Sequence, residues 1–316
     1  MDFGHILAIL PQQIVFGLAL GTVYSLLAVG YTMVYGVLFM INFAHGDVLM
    51  IGSMIGWAIL TSVVTATLGA PLIVLLLAVL GAALMAAALG VLIERVAYRP
   101  LYARGSSRLG PLISALGVSM VLENATLMVM GANALVYPTR ATLRGLPSIR
   151  LGVVNISPIV VIMAVVAVIS MLLLEWLVGR TKWGRAMRAL RENRQATMLM
   201  GVSIDRIVAL TFFIGSALAG IGGVLVALYY TQTDFLLGWS LGLKAFAAAV
   251  LGGIGNIRGA VLGGILLGII EALGVTVLSF TAFYGFGIAY KDVIAFLVLV
   301  VVLTLKPTGI LGERGA

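Results

Sequence analysis

Uninterrupted apolar runs of about 20 residues constrain this chain more than any other feature. A stretch of that length crosses roughly 30 Å of hydrocarbon as a helix. Such runs stand near residues 12–36, 44–64, 71–93, 111–132, 157–179, 205–229, 259–279 and 288–305. A shorter Gly-rich stretch, 241–254, reads either as a ninth span or as a re-entrant segment. Backbone in lipid must satisfy its own hydrogen bonds, which leaves helices or closed barrels. A barrel needs short alternating strands, whereas these runs are apolar on all sides. The expected fold is all-α, a single polytopic membrane helix bundle over 1–316 with about 8–9 transmembrane or re-entrant helices.

Composition narrows the function classes. The chain is 62% hydrophobic and 9% charged, with a mean hydropathy of +1.19. An ordinary soluble domain is nearer half apolar. With no Cys there is no disulfide, thiolate metal site or cysteine nucleophile, and two His are too few for a His-rich metal site. The net charge of +8 belongs with membrane orientation and anionic headgroups rather than nucleic acid. The opening MDFGHILAILPQQ has no Lys or Arg and no small-residue cleavage site, so a removable leader is not expected. No C-terminal lipidation or retention signal is evident.

Charge is concentrated between the runs. Residues 180–206 carry 7 of the 19 Lys and Arg, with Glu192 and Asp205 as their only acids. With an outside N-terminus and a crossing 241–254, 14 positive charges fall inside and five outside, in keeping with the positive-inside rule. The C-terminus is then cytoplasmic. The 133–156 loop is expected on the outer face, where its three Arg suit something acidic.

Several residues are expensive where they stand. Glu123 falls near the centre of 111–132, where an acid costs roughly 2.5–3.5 kcal/mol on insertion scales. It reads either as a substrate-pathway residue, facing an ammonium group, or as a hydrogen-bonded packing residue helped by Asn124. Glu271 is off-centre in its run and reads as structural. The segment INFAHG followed by Asp47 places Asn42, His45 and Asp47 within six residues. One reading is a polar break lining a solute route. The other is a short cytoplasmic turn in which His45 caps a helix. The Gly-rich 251–264 reads as a tight turn on the inner face. Small residues four apart (Gly17/Gly21, Gly52/Gly56, Ala86/Gly90, Gly215/Ala219/Gly223, Gly264/Gly268) mark close helix packing, within the chain or at a subunit interface.

Motifs of energy-coupled chemistry are missing. No GxxxxGK[ST] occurs, so nucleotide hydrolysis by this chain is not expected. Neither HExxH nor GxSxG is present, and no paired catalytic carboxylates stand in a convincing context.

Within 180–206, Arg185, Arg188, Arg191 and Arg194 recur every third residue and sweep about half a helix circumference. Gly184 and Gly201 punctuate the expected 183–201 helix, with Gly201 suited to the C′ position. Ser203 can cap the next span. Lipid alone could hold such a helix, with Trp183 as its interfacial anchor. The spaced small residues Ala186, Ala189, Ala196 and Gly201 invite docking into a groove as well.

Gln195–Gly201, QATMLMG, resembles a degenerate EAA-x3-G coupling motif of ABC importer permeases, with Gln195, Ala196 and Thr197 at the EAA positions. In combination, LGTVYSLLAVGYTMVYGVLFMINFAHGD, GRAMRALRENRQATMLMGVSIDRI, FIGSALAGIGGVLVA and GLKAFAAAVLGGIGNIRGAVLGG resemble the permeases of branched-chain amino-acid ABC importers, most closely the first of that system's two permeases. Gln for Glu and Thr for the second Ala depart from the motif.

The resemblance implies an inner-membrane complex. Its parts would be a second permease subunit, two cytosolic ATPases, a periplasmic substrate-binding protein, and surrounding membrane lipid. The chain itself would have no cofactor, and its substrate would be an amino acid. Residues 180–204 would form the cytoplasmic coupling-helix loop and 133–156 a periplasmic loop. Gly184, Arg185, Ala186, Arg188, Asn193, Gln195, Ala196, Thr197 and Gly201 would engage the ATPase. Asn42, His45, Asp47 and Glu123 are the expected pathway residues. Alternatives from other classes are an amide or urea importer, a stand-alone secondary transporter or channel, and a membrane enzyme.

Overall fold

The computed structural model describes residues 3–64, 71–105, 109–280 and 290–312. The apolar runs fold as helices: α1 Phe3–Leu38, α2 His45–Val64, α3 Pro71–Ile93, α5 Leu109–Met130, α7 Pro158–Arg180, α10 Ile204–Tyr230, α12 Ile257–Phe280 and α13 Lys291–Leu305. The Gly-rich 241–254 stretch belongs to a further helix, α11 Leu237–Gly252. Among the described residues, six helical stretches are long and apolar enough to cross a membrane: Ile9–Leu38, Leu72–Ala103, Leu109–Met130, Pro158–Arg180, Ile204–Tyr230 and Ile257–Ser279. The protein is a multi-pass helical membrane protein. Leu172 and Val121, on the outer sides of α7 and α5, are exposed, as lipid-facing side chains would be.

Small residues set how closely the helices approach. A Cβ on Gly17 would lie 2.7 Å from Ile269 Cα, and one on Gly21 2.8 Å from Ile265 Cα. Gly264 and Gly268 press in return on Ser25, Gly17 and Gly21, so the first and last small pairs interlock across α1 and α12. Gly52 meets Gly220, Gly56 meets Val224, Gly223 meets Leu49, and Gly90 meets Ser216. The four-residue spacing thus serves packing inside this chain, where close backbone contact substitutes for the hydrophobic drive that lipid removes.

Three features depart from the expected pattern. First, the connections outside the bundle pair as short strands. β1 Leu135–Val136 joins β4 Gln232–Thr233 antiparallel, and β2 Ile149–Leu151 forms a hairpin with β3 Val154–Ile156. Between them lies α6 Thr139–Thr142. Gln12 of α1 exchanges two hydrogen bonds with the Asn155 backbone, at 3.1 and 2.7 Å, and holds the hairpin to the bundle. Second, α3 runs into a π-helical turn, Glu94–Tyr98, and then α4 Arg99–Ala103. Pro100 has no N–H to give the preceding turn, and a widened turn ahead of it accommodates the loss.

Third, the expected 183–201 helix is two helices, α8 Lys182–Glu192 and α9 Arg194–Leu199. Asn193 divides them because its side chain competes for the backbone: its Oδ1 accepts from Ala196 N at 2.9 Å and caps α9. Gly201 then closes α9 with φ +78°. Its N–H reaches Met198 O at 2.9 Å while Val202 N reaches Thr197 O at 3.3 Å, the paired bonds of a Schellman ending.

Candidate functional site

Two groups of residues stand apart from ordinary packing. The first surrounds the start of α2. His45 packs against Gly30 of α1, where an added Cβ would strike its imidazole. Gly30 lies eight residues before the end of α1, about 12 Å back along the helix at 1.5 Å per residue. Residues 39–44 therefore carry the chain back into the bundle before α2 begins, and Asn42, Ala44, His45 and Asp47 are all buried. The alternative of a plain solvent-side turn does not hold.

Helix α11 meets α2 there. A Cβ on Gly238 would lie 2.7 Å from Asp47 Oδ1, and one on Gly242 3.0 Å from Gly46 Cα. At 16 residues α11 is about 24 Å long, shorter than the hydrocarbon layer. Its first two turns thus cross the first turn of α2 inside the bundle.

The polar groups here are unevenly paired. Asn42 Oδ1 accepts from Tyr98 OH at 2.6 Å, which holds the segment to the π-turn. Tyr31 and His45 rings stand edge to face at 4.8 Å. Among the described residues, five buried side-chain polar atoms lack a hydrogen-bond partner. Four of them, Tyr31 OH, Thr32 Oγ1, His45 Nε2 and Asp47 Oδ1, fall within residues 31–47. Ser119 and Glu123 of α5 are close enough to Asp47 to act on its charge. Glu123 is half-buried, and Asn124 turns away to bond Met120 O at 2.8 Å. Asp47 and Glu123, 76 positions apart in the sequence, thus lie within electrostatic reach of each other.

The second group is the α8–α9 unit. Thr181 caps α8 by accepting from Gly184 N at 3.1 Å. Gly184 is buried so tightly against Val178 that any side chain would collide with backbone. Met187 and Leu190 are also buried, while Ala186 is half-buried. The regularly spaced arginines fan inward to three different elements. Arg188 donates to Val178 O at the end of α7. Arg191 donates to Gly255 O at 3.0 Å in the turn between α11 and α12. Arg194 lies over the Tyr102 ring, 5.7 Å from its centroid.

Arg185, Gln195 and Ala196 remain exposed, whereas Thr197 is buried and bonds Asn193 O at 2.7 Å. Of the nine residues expected to engage a partner, Gly184 and Thr197 thus face this chain, and Arg188, Asn193 and Gly201 shape the helices. An apolar edge follows the exposed residues: Leu199 is 88% and Met200 83% exposed.

Two charged networks escaped the sequence reading. Buried Glu94 of the π-turn pairs with Arg99 at 3.2 Å and accepts from Tyr102 OH, and Arg99 reaches Asp205 at 3.8 Å. Through Tyr102 this network touches Arg194. Deeper in the bundle, Glu271 is 0% exposed and pairs with Lys244 at 3.1 Å and Lys291 at 2.9 Å. Tyr24 OH adds a bond at 3.0 Å, and Lys244 also reaches Asp292 at 2.7 Å. Lys244 and Lys291, two of the five charges counted outside, belong to helices α11 and α13 and pair inside the bundle. The legible signal was an acid in one apolar run with a Lys near the edge of each of two others, but nothing in spacing says they meet.

A family model described as "Branched-chain amino acid transport system / permease component" matches residues 13–303. The chain is 45% identical over 305 residues to the high-affinity branched-chain amino acid transport system permease protein BraD of Pseudomonas aeruginosa, covering 96% of this chain and 95% of that one. It is 40% identical over 303 residues to LivH of Escherichia coli (strain K12), a permease protein of the same description, with 96% and 95% covered. A probable branched-chain amino acid transport permease protein of Methanocaldococcus jannaschii is 27% identical over 293 residues, with 91% and 88% covered. No solved structure matches.

Proposed function

The chain belongs to the family of branched-chain amino acid transport permeases, and from that premise we propose that it is the inner-membrane permease subunit of an ATP-driven importer of leucine, isoleucine and valine. One observation carries the reading: the likeness to BraD and LivH runs through nearly the whole of each chain. The chain has no phosphate cradle of its own. Energy then comes from two cytosolic ATPases, a second permease completes the pathway, and a periplasmic binding protein delivers substrate. In this reading the N-terminus is periplasmic and the C-terminus cytoplasmic. The helices α1, α2, α3, α5, α7, α10, α11, α12 and α13 make up eight or nine transmembrane or re-entrant elements.

In this reading α8–α9 is the coupling element. Arg185, Gln195, Ala196 and the exposed Met198–Met200 edge present themselves to the ATPase. Arg188, Arg191 and Arg194 grip α7, the 253–256 turn and α4, so a displacement of α8–α9 is passed to three elements together. The remaining coupling residues, Gly184, Ala186, Asn193, Thr197 and Gly201, keep the two short helices in shape. ATP-driven movement biases the bundle between outward- and inward-facing states through contacts that differ in the two states.

Asn42, His45, Asp47 and Glu123 line the pathway. Unpaired buried polar atoms cost about 1–3 kcal/mol each, and Tyr31 OH, His45 Nε2 and Asp47 Oδ1, gathered where α2 and α11 cross, are best accounted for by a polar solute route. Helix starts inside a bundle offer N–H groups to a substrate carboxylate, and Asp47 and Glu123 offer charge to its ammonium group.

The test is uptake of labelled leucine, isoleucine and valine by vesicles holding this chain with its ATPases and second permease. ATP-dependent uptake is expected, with none when the ATPases are omitted. Uptake by the isolated chain under an ion gradient would overturn the reading.

A further inference from the structure

At the inner ends of the helices, a cavity of 510 Å³ opens between α7, α8, the start of α12 and the strap 306–312. The strap is part of the wall because Ile310 N and Leu311 N bond Leu251 O and Gly252 O, each at 2.9 Å. Among the described residues, Arg188, Arg191 and Arg258 line the cavity with one carboxylate, Glu175. Arg258 donates its Nε to Glu175 at 3.1 Å, and the other two arginines donate to backbone carbonyls. A guanidinium has five N–H donors, so these bonds aim Arg188 and Arg258 into the cavity without exhausting them. Planar guanidinium forks match phosphate oxygens.

A second hollow of 80 Å³ adjoins the first and shares Val178, Arg188, Arg191, Gly255 and Ile257 with it. Its remaining lining is mostly apolar, with Met33, Val37 and Met187. Thr32 also lines it, buried and with its hydroxyl unpaired. A cationic chamber thus opens into an apolar recess that carries one hydrogen-bond donor. Exposed Trp176 and Trp183 stand nearby in sequence, residues typical of the membrane interface.

We propose that this pair of hollows binds one anionic phospholipid of the inner leaflet. Its phosphate sits on Arg188, Arg191 and Arg258, its ester carbonyl at Thr32, and its first methylenes against Met33, Val37 and Met187. Free phosphate would use the arginines alone; the apolar recess selects the lipid. The bound headgroup ties α8 to α7 and α12 at the base of the coupling element. The leaflet, though not the site itself, rests on the orientation proposed above.

The assembled importer is purified through phosphatidylcholine detergent micelles, and retained lipid is counted by native mass spectrometry. About one phosphatidylglycerol per chain is expected. Arg258→Gln combined with Thr32→Val should lower its retention about tenfold, equivalent to roughly 1.4 kcal/mol. Neither residue was assigned to coupling or to the pathway, and size-exclusion profiles check that the variant stays folded. Equal retention of phosphatidylcholine, unchanged retention in the variant, or displacement by millimolar inorganic phosphate would each overturn the proposal. Orientation is read separately by labelling Ser203→Cys, the chain's only cysteine, from either side of sealed vesicles. A reversed result there would move the lipid to the other leaflet and leave its retention unchanged.

Discussion

Lys244 Nζ lies 3.1 Å from Glu271 Oε1, and neither side chain is more than 5% exposed. The pair joins α11 to α12, with Tyr24, Lys291 and Asp292 as its further polar neighbours. Desolvating two such charges is compensated only while both are present.

Removing one partner should therefore hurt more than removing both. Glu271→Gln leaves Lys244 and Lys291 with only the exposed Asp292 to offset them, and its cost should be about 3–5 kcal/mol. Lys244→Met with Glu271→Leu should recover part of that loss. Thermal unfolding in detergent, followed by the fluorescence of the four Trp, measures both. A double variant no more stable than Glu271→Gln would refute the compensation argument.

Helix contact offers a cleaner comparison. A Cβ on Gly268 would collide with the backbone of Gly17 and Gly21, whereas Gly117 of α5 has nothing within 4 Å. Gly268→Ala should cost about 1–3 kcal/mol by overpacking, and Gly117→Ala should be neutral or mildly stabilising through helix propensity. Parallel melting curves of the two variants decide the matter.

At the end of α9 the backbone itself is the constraint. Gly201 has φ +78°, which costs another L-residue about 1–2 kcal/mol. Gly201→Pro loses more, because its N–H to Met198 is removed and φ is fixed near −65°. Substrate-stimulated ATP hydrolysis and uptake should fall together in Gly201→Pro while membrane insertion stays normal. Gly201→Asn should keep most activity, since Asn tolerates this conformation. Arg188→Glu should likewise uncouple, because its contact at the end of α7 is lost. Normal coupled uptake in Gly201→Pro and Arg188→Glu would return α8–α9 to a lipid anchor.

The carboxylates at the crossing of α2 and α11 make a separate test. If Asp47 and Glu123 meet the substrate's ammonium group, Asp47→Asn and Glu123→Gln should each lower leucine uptake about tenfold, the scale of a lost charge-assisted bond of 1.5–3 kcal/mol. ATPase assembly should be unaffected. Uptake matching the parent in rate and selectivity in both variants would remove them from the route.

Much of this architecture was legible in the sequence because its causes are local or periodic. Apolar length dictates helices that span lipid, small residues four apart dictate close crossing, and a Gly after a polar helix dictates how that helix ends. The regular arginines of 180–206 also announced a basic helix. Their destinations were not legible. Val178, Gly255 and Tyr102 are 10, 64 and 92 positions from Arg188, Arg191 and Arg194 respectively, and no periodicity encodes such distances. Spacing alone makes Asn193 part of one helix, because its competing side-chain bond depends on geometry that spacing does not express.

The sequence by itself determined a lipid-spanning helical chain, a charge-rich segment between two spans, and a chain without its own nucleotide cradle. The tertiary structure decided which polar residues meet. It sent residues 39–44 back into the bundle, set Asp47 beside α11 and near Glu123, and buried Glu271 between Lys244 and Lys291. The reason is physical. Hydrophobic length is a property each segment carries alone, whereas pairing of buried charges depends on helices brought together by backbone contact at glycine.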